Sequence, residues 1–187
     1  MIGNRHGTLE RIKDTEHRPL RPIGAGAREV AERTGRLLTG LLRMPGVRLY
    51  QGVRLGGQDP PLPYALTARS RVVLVETVAW PPGDYTTGPG GEVLCGDVYI
   101  GQSAHLLAAA VRRLRRLQPR GHRVGGVVVV HPSLAGPMTL PAGSGIMWVR
   151  ADDAVRVIGG RLLRGGSRPV PSRAVAALAD ASAPRAA

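Results

Sequence analysis

The chain has no phenylalanine, one lysine (Lys13) and one cysteine (Cys95) in 187 residues. With aromatic residues at 3%, a core has to be built from Val, Leu, Ile and Ala. A lone cysteine excludes an intramolecular disulfide and a zinc site built on cysteines. The histidines stand at positions 6, 17, 105, 122 and 131. None forms an H-x-x-x-H pair or a Cys/His cluster, which argues against a dedicated zinc site. No apolar run approaches the roughly 20 residues that a membrane helix needs. The charged N-terminal stretch lacks the apolar segment of a signal peptide. A cytoplasmic protein is therefore expected.

Arginine is what the chain has in plenty. The net charge is +13 and the pI about 11.5. Such a balance favours an anionic partner, either nucleic acid, a membrane surface or an acidic protein. Arginine in place of lysine suits planar, bidentate phosphate contacts. The codon usage of a GC-rich genome produces the same bias.

Three regions are expected: a flexible basic arm over 1–23, an α/β domain over 24–164 and a low-complexity Arg/Pro/Ala tail over 165–187. Gly26 to Arg43 reads as a helix with Val30, Leu37, Leu38, Leu41 and Leu42 on its apolar face, stopped by Met44-Pro-Gly46. Val47 to Leu55 alternates as a half-buried strand does, Gly56 to Pro63 reads as a loop, and Tyr64 to Ala68 as a weaker strand. Val72 to Val78 is apolar and β-branched, as in a strand buried on both faces. Asp84 to Gly91 reads as a loop and Glu92 to Ile100 as a further strand.

Gln102 to Gln118 is the clearest helix. Leu106, Leu107, Ala110, Val111, Leu114 and Leu117 share one arc, and Arg112, Arg113, Arg115 and Arg116 the other. Val124 to His131 reads as a central strand, Ile146 to Arg150 as a short one, and Asp152 to Leu163 as a helix. Asp152 or Asp153 is a candidate cap, and Gly159-Gly160 weakens or breaks that helix. The order predicts a mixed central β-sheet flanked by helices.

Several phrases in this order carry a resemblance. They are Val47-Arg-Leu-Tyr-Gln-Gly-Val-Arg-Leu55, Arg71-Val-Val-Leu-Val-Glu-Thr-Val-Ala-Trp80 followed by Pro82-Gly-Asp-Tyr85, Gln102 at the head of a long helix, and Gly126-Val-Val-Val-Val-His-Pro132. Together, over about Gly26 to Leu163, they resemble the nuclease-related domain (NERD), a branch of the restriction-endonuclease-like PD-(D/E)xK fold. The resemblance implies that fold. It also implies phosphodiester hydrolysis with Mg²⁺ or Mn²⁺ held by two carboxylates, and a lysine that activates water. Period-two alternation would place the second acid and the lysine on one face of a strand.

This chain departs from that pattern. Glu76 falls on the second acid, Val78 on the lysine, and the first acid falls near Pro63 and Tyr64. Asp59, or Glu29 or Glu32 on the first helix, are the carboxylates left to complete a metal site, with Gln102 or an arginine in place of the lysine. The other reading of Glu76 is a strand-end carboxylate paired with an arginine. The other reading of Gln102 is a local cap. If the chain is inactive no cofactor is expected; if active, Mg or Mn.

The helix face of Arg112, Arg113, Arg115 and Arg116, continued by Arg120 and Arg123, is the candidate nucleic-acid surface, or else a solvated face. Arg161, Arg164, Arg168 and Arg173 form a second basic stretch. The Gly-rich Gly24-Ala-Gly-Ala-Arg-Glu29 follows no strand and precedes no Gly-Lys-Ser/Thr, and Ser133 and Ser144 sit in no G-x-S-x-G elbow. The expectation is a catalytically degenerate nuclease-like domain that binds nucleic acid or scaffolds a larger assembly. The alternatives are an active metal-dependent nuclease with displaced residues, and a structural subunit in a homo- or hetero-oligomer.

Overall fold

The computed structural model describes residues 4–10, 12–13, 18–55, 59–118, 122–143, 145–164 and 172–182. Strand β1 (Asn4–Gly7) leads to helix α1 (Ala27–Thr39), which ends in a 3-10 turn, Gly40–Arg43. Strands β2 (Arg48–Val53), β3 (Leu62–Ala68) and β4 (Arg71–Trp80) form an antiparallel meander. Next come β5 (Gly83–Thr87), β6 (Glu92–Cys95) and β7 (Val98–Ser103), then helix α2 (His105–Arg116). Strands β8 (Arg123–Pro132), β9 (Met138–Thr139) and β10 (Ile146–Arg150) precede helices α3 (Ala151–Leu163) and α4 (Ser172–Ser182).

The main sheet has the order β1-β2-β3-β4-β8-β10 and a smaller one the order β7-β6-β5-β9. In the main sheet β1–β2, β4–β8 and β8–β10 are parallel and the other pairs antiparallel. Helices cover both faces. Val73, Val75, Val127 and Val129 pack with Ala31 and Leu38 of α1 and Ile158 and Leu162 of α3. Val72, Leu74, Val128 and Val130 pack with Leu107, Val111 and Leu114 of α2 and Leu178 of α4. This double cover is why Val72 to Val75 of β4 and Val127 to Val130 of β8 read as apolar runs. The α/β class with a mixed sheet between helices is as the sequence predicts.

Several local expectations are corrected. Strand β2 is buried on both faces from Leu49 to Val53, because α4 covers the side expected to face water. Leu62 and Pro63 belong to β3, not to a loop. Gly83–Thr87 forms a strand within the expected loop, and the single strand expected over Glu92 to Ile100 is the β6–β7 hairpin. These strands belong to the smaller sheet, where polar and glycine-rich sequence hides the β pattern. Leu117 lies just past α2 and is 48% exposed, off the apolar arc.

The N-cap of α3 is Arg150, and Asp152 and Asp153 lie inside its first turn, where carboxylates suit the helix dipole. Gly159-Gly160 does not break α3: a Cβ at Gly159 would stand 3.0 Å from Leu41 Cδ2, so the missing side chain permits close packing. Both ends of the chain also contribute order. In the arm, β1 pairs with β2, and Leu9, Ile12 and Leu20 are buried. In the tail, Leu178 is fully buried, a contact that stabilises α4 by about 1.5–3 kcal/mol.

Candidate functional site

Strand β4 carries the residues on which the sequence argument turns. Its even positions face α2, so Glu76, Val78 and Trp80 share a face, as the alternation predicts. Glu76 is 6% exposed. Arg18 reaches it from the N-terminal arm, and Nη2 donates to both carboxylate oxygens at 3.0 Å. The Thr77 amide donates to Oε1 at 3.0 Å. Burial pushes the Glu76 carboxyl above its usual range, and Arg18 and the Thr77 amide pull it back down.

The arm is stitched across this site. Ser103 N–H donates to Pro19 O at 2.7 Å, Arg21 N–H to Gln102 Oε1 at 3.1 Å, and Ile23 N–H to Ala79 O at 2.6 Å. The space left beside Glu76, between Arg18, Leu20, Leu62 and Leu107, is about 10 Å³. That is the room of about one water. A Mg²⁺ ion prefers octahedral oxygens and keeps several waters. The residues at Glu76 therefore do not fit a Mg²⁺ or Mn²⁺ site.

The other candidate carboxylates lie elsewhere. Glu29 sits on α1, across the sheet from Glu76, and is paired with Arg33; Glu32 beside it is paired with Arg28. Asp59 is exposed, and its carbonyl accepts from Arg54 at 3.0 Å. It borders the outer face of α2, not the cavity at Glu76. Among the described residues no group of three His, Cys, Asp or Glu could hold a metal ion. Near Pro63 and Tyr64, where the resemblance would put the first acid, Tyr64 pairs with Val75 in the β3–β4 ladder. Val78, where the resemblance would put the lysine, is fully buried in the cluster that holds Trp80 and Tyr85.

Gln102 does not open the helix. It is the last but one residue of β7, opposite Val93, and the helix starts at His105, where Ser103 Oγ accepts the His105 amide. Its Oε1 also accepts Trp80 Nε1–H at 3.2 Å. Gln102 is thus a tie between the arm and Trp80, 1% exposed.

The opposite face of β4 holds a polar cluster that sequence reasoning missed. Thr34 Oγ1 lies 2.7 Å from both Thr77 Oγ1 and His131 Nε2. Burial, helped by Arg33 and Arg36 and opposed by Asp152, pushes His131 down to about 4. Its imidazole is therefore neutral at physiological pH. Thr77 and His131 each sit in an apolar strand run, where a single polar residue is the signal of a partner across the core.

The arginine face of α2 divides. Arg112, Arg113 and Arg116 border a groove of about 400 Å³ with Asp59 and Leu55. Arg115 turns the other way: its Nε donates to Val124 O at 3.0 Å, and it lines a groove of about 490 Å³ with Arg71, Arg123 and Arg161. Arg120 and Arg168 lie outside the described residues. Among the described residues no helix is long and apolar enough to cross a membrane.

Fold and site define an α/β protein with a closed carboxylate site and an open basic groove on one strand. No family model, curated protein or solved structure matches the chain.

Proposed function

We propose that the chain is a nuclease-like domain without hydrolytic chemistry, which works in the cytoplasm by binding nucleic acid through its arginine-rich surface. The observation that carries this reading is the sealed Arg18–Glu76 pair. In a hydrolase of the resembling family the acid on this strand would face substrate and metal. Here a guanidinium from the same chain neutralises it in a space of about 10 Å³. Pro63 and Tyr64 near the place of the first acid, and buried Val78 at the place of the lysine in the resembling family, support the same reading. The net charge of +13 remains for an external polyanion. The scaffolding role uses the same surface, with an acidic protein in place of the nucleic acid.

The test is a gel-shift titration of labelled single- and double-stranded DNA and RNA at several salt concentrations, with and without Mg²⁺ or Mn²⁺. Binding that falls linearly on a log–log salt plot, with intact substrate, is the expected result. Metal-dependent fragments that disappear in Glu76→Ala would establish the nuclease instead. Absence of both binding and cleavage would assign the charge to a protein partner.

A further inference from the structure

The groove at the start of β4 and β8 has features that a solvated basic surface does not need. Arg71 and Arg123 are direct partners in the parallel ladder. Like charges opposite each other destabilise a sheet. Arg115 arrives from the end of α2 and Arg161 from the end of α3, on opposite faces of the sheet. Among the described residues that line the groove there is no carboxylate. No described Asp or Glu forms an ion pair with any of the four.

Two of these guanidinium groups are held in place by carbonyls. Arg71 Nη2 donates to Arg164 O at 3.1 Å, and Arg115 Nε to Val124 O at 3.0 Å. Each keeps further N–H donors, since a guanidinium has five. Arg161 is seated by an absence: a Cβ on Gly125 would stand 3.3 Å from its Nη1, so the glycine lets the guanidinium lie close over β8. Burial, with Arg71 and Arg164 nearby, disfavours the charge on Arg161. An anion between these groups would offset that repulsion.

We propose that this groove, formed by Arg71, Arg115, Arg123 and Arg161, seats the backbone phosphates of the nucleic acid, and that the outer arginines of α2 do not. The inference rests on the nucleic-acid reading above and names its site. Planar guanidiniums held by carbonyls suit bidentate recognition of phosphate oxygens. The outer face of α2, by contrast, has Asp59 beside its arginines, so part of its charge is offset.

The experiment compares two double variants of the full chain that remove equal charge: Arg123→Gln with Arg161→Gln, and Arg112→Gln with Arg113→Gln. Each is titrated with the labelled oligonucleotide that binds the wild type best, at several salt concentrations. The groove variant is expected to weaken binding and to lower the salt slope by about 2, about 1 for each phosphate no longer neutralised. The outer variant is expected to keep the wild-type slope. Equal weakening by both, or a larger effect of the outer variant, overturns the groove while leaving the nucleic-acid reading intact. A wild type that binds no oligonucleotide overturns both. A second measurement needs no variant: phenylglyoxal modification of the wild type with and without oligonucleotide. Protection of Arg123 and Arg161 is expected, and protection confined to Arg112, Arg113 and Arg116 contradicts the proposal.

Discussion

Toward its C-terminal end, β4 holds Glu76 against Arg18 beside a space of about 10 Å³; at its first residue the same strand sets Arg71 next to Arg123 over a groove of about 490 Å³. The difference lies in who supplies the counter-ion. A charge taken out of water has to bring its own partner, and Glu76 receives one from the N-terminal arm. Charges that stay open to solvent need none for folding. Under the proposal above, the four clustered arginines take theirs from outside, from the phosphates of a nucleic acid. The motif phrase on β4 points to its closed end; the proposed phosphate groove lies at the other.

The largest expected effect probes the closed end. Arg18→Ala leaves Glu76 buried without its counter-ion and is expected to lower stability by about 3–5 kcal/mol in urea unfolding. Arg18→Met combined with Glu76→Leu should recover most of that loss, because apolar replacement of a buried pair is often neutral. If Arg18→Ala unfolds at the wild-type urea concentration, the pair is not what closes the site.

A smaller effect comes from the other face of the same end. His131 is held down to about 4, so the folded chain binds its proton less readily than the unfolded chain. Its contribution is present above the unfolded value of about 6.5 and is lost as pH falls toward about 4, a loss of up to about 3 kcal/mol. Glu76, raised by burial, works in the opposite sense: it favours the folded state at low pH and loses that contribution as pH rises. Urea midpoints of His131→Gln should fall less steeply than those of wild type between those pH values. Parallel acid limbs would contradict the buried neutral imidazole.

Two adjacent glycines sharpen the contrast between core and groove. A Cβ at Gly126 would stand 2.6 Å from Ile146 Cδ1 and 3.1 Å from Val111 Cγ2, inside the packed core. Gly126→Ala is expected to cost about 1–3 kcal/mol. At Gly125 the only close atom among the described residues is Arg161 Nη1, at the end of a flexible side chain. Gly125→Ala should change stability by less than about 0.5 kcal/mol while weakening nucleic-acid binding through Arg161. Thermal melts beside gel shifts of both variants check this, and equal stability losses would contradict it.

Much of the architecture was legible in the sequence because its signals are local. The Val-rich runs of β4 and β8 and the two-sided pattern of α2 need only neighbours in the chain to be read. The smaller sheet escaped because Gly83–Thr87 and Glu92–Ser103 are short, polar strands whose pairing is set by their partners. Helix α4 escaped because its alanines and arginine look like tail until β1 and β2 offer a surface to Leu178. At the site, the alternation placed Glu76 and Val78 on one face. Arg18, 58 residues away, left no local mark of its role. The same holds for Arg71 and Arg161: each is an ordinary arginine at an element end, and only the topology brings them to one groove with Arg115 and Arg123.

If Arg18 neutralises Glu76 from within the chain, the carboxylate offers nothing to a metal. The most direct test is the thermal unfolding of wild type and Glu76→Gln with and without millimolar Mn²⁺. A ligand of the folded state raises the unfolding temperature of the protein that binds it. The same response to Mn²⁺ is expected in both proteins. A rise in the wild type that Glu76→Gln abolishes would contradict it and return Glu76 to the role of a metal ligand.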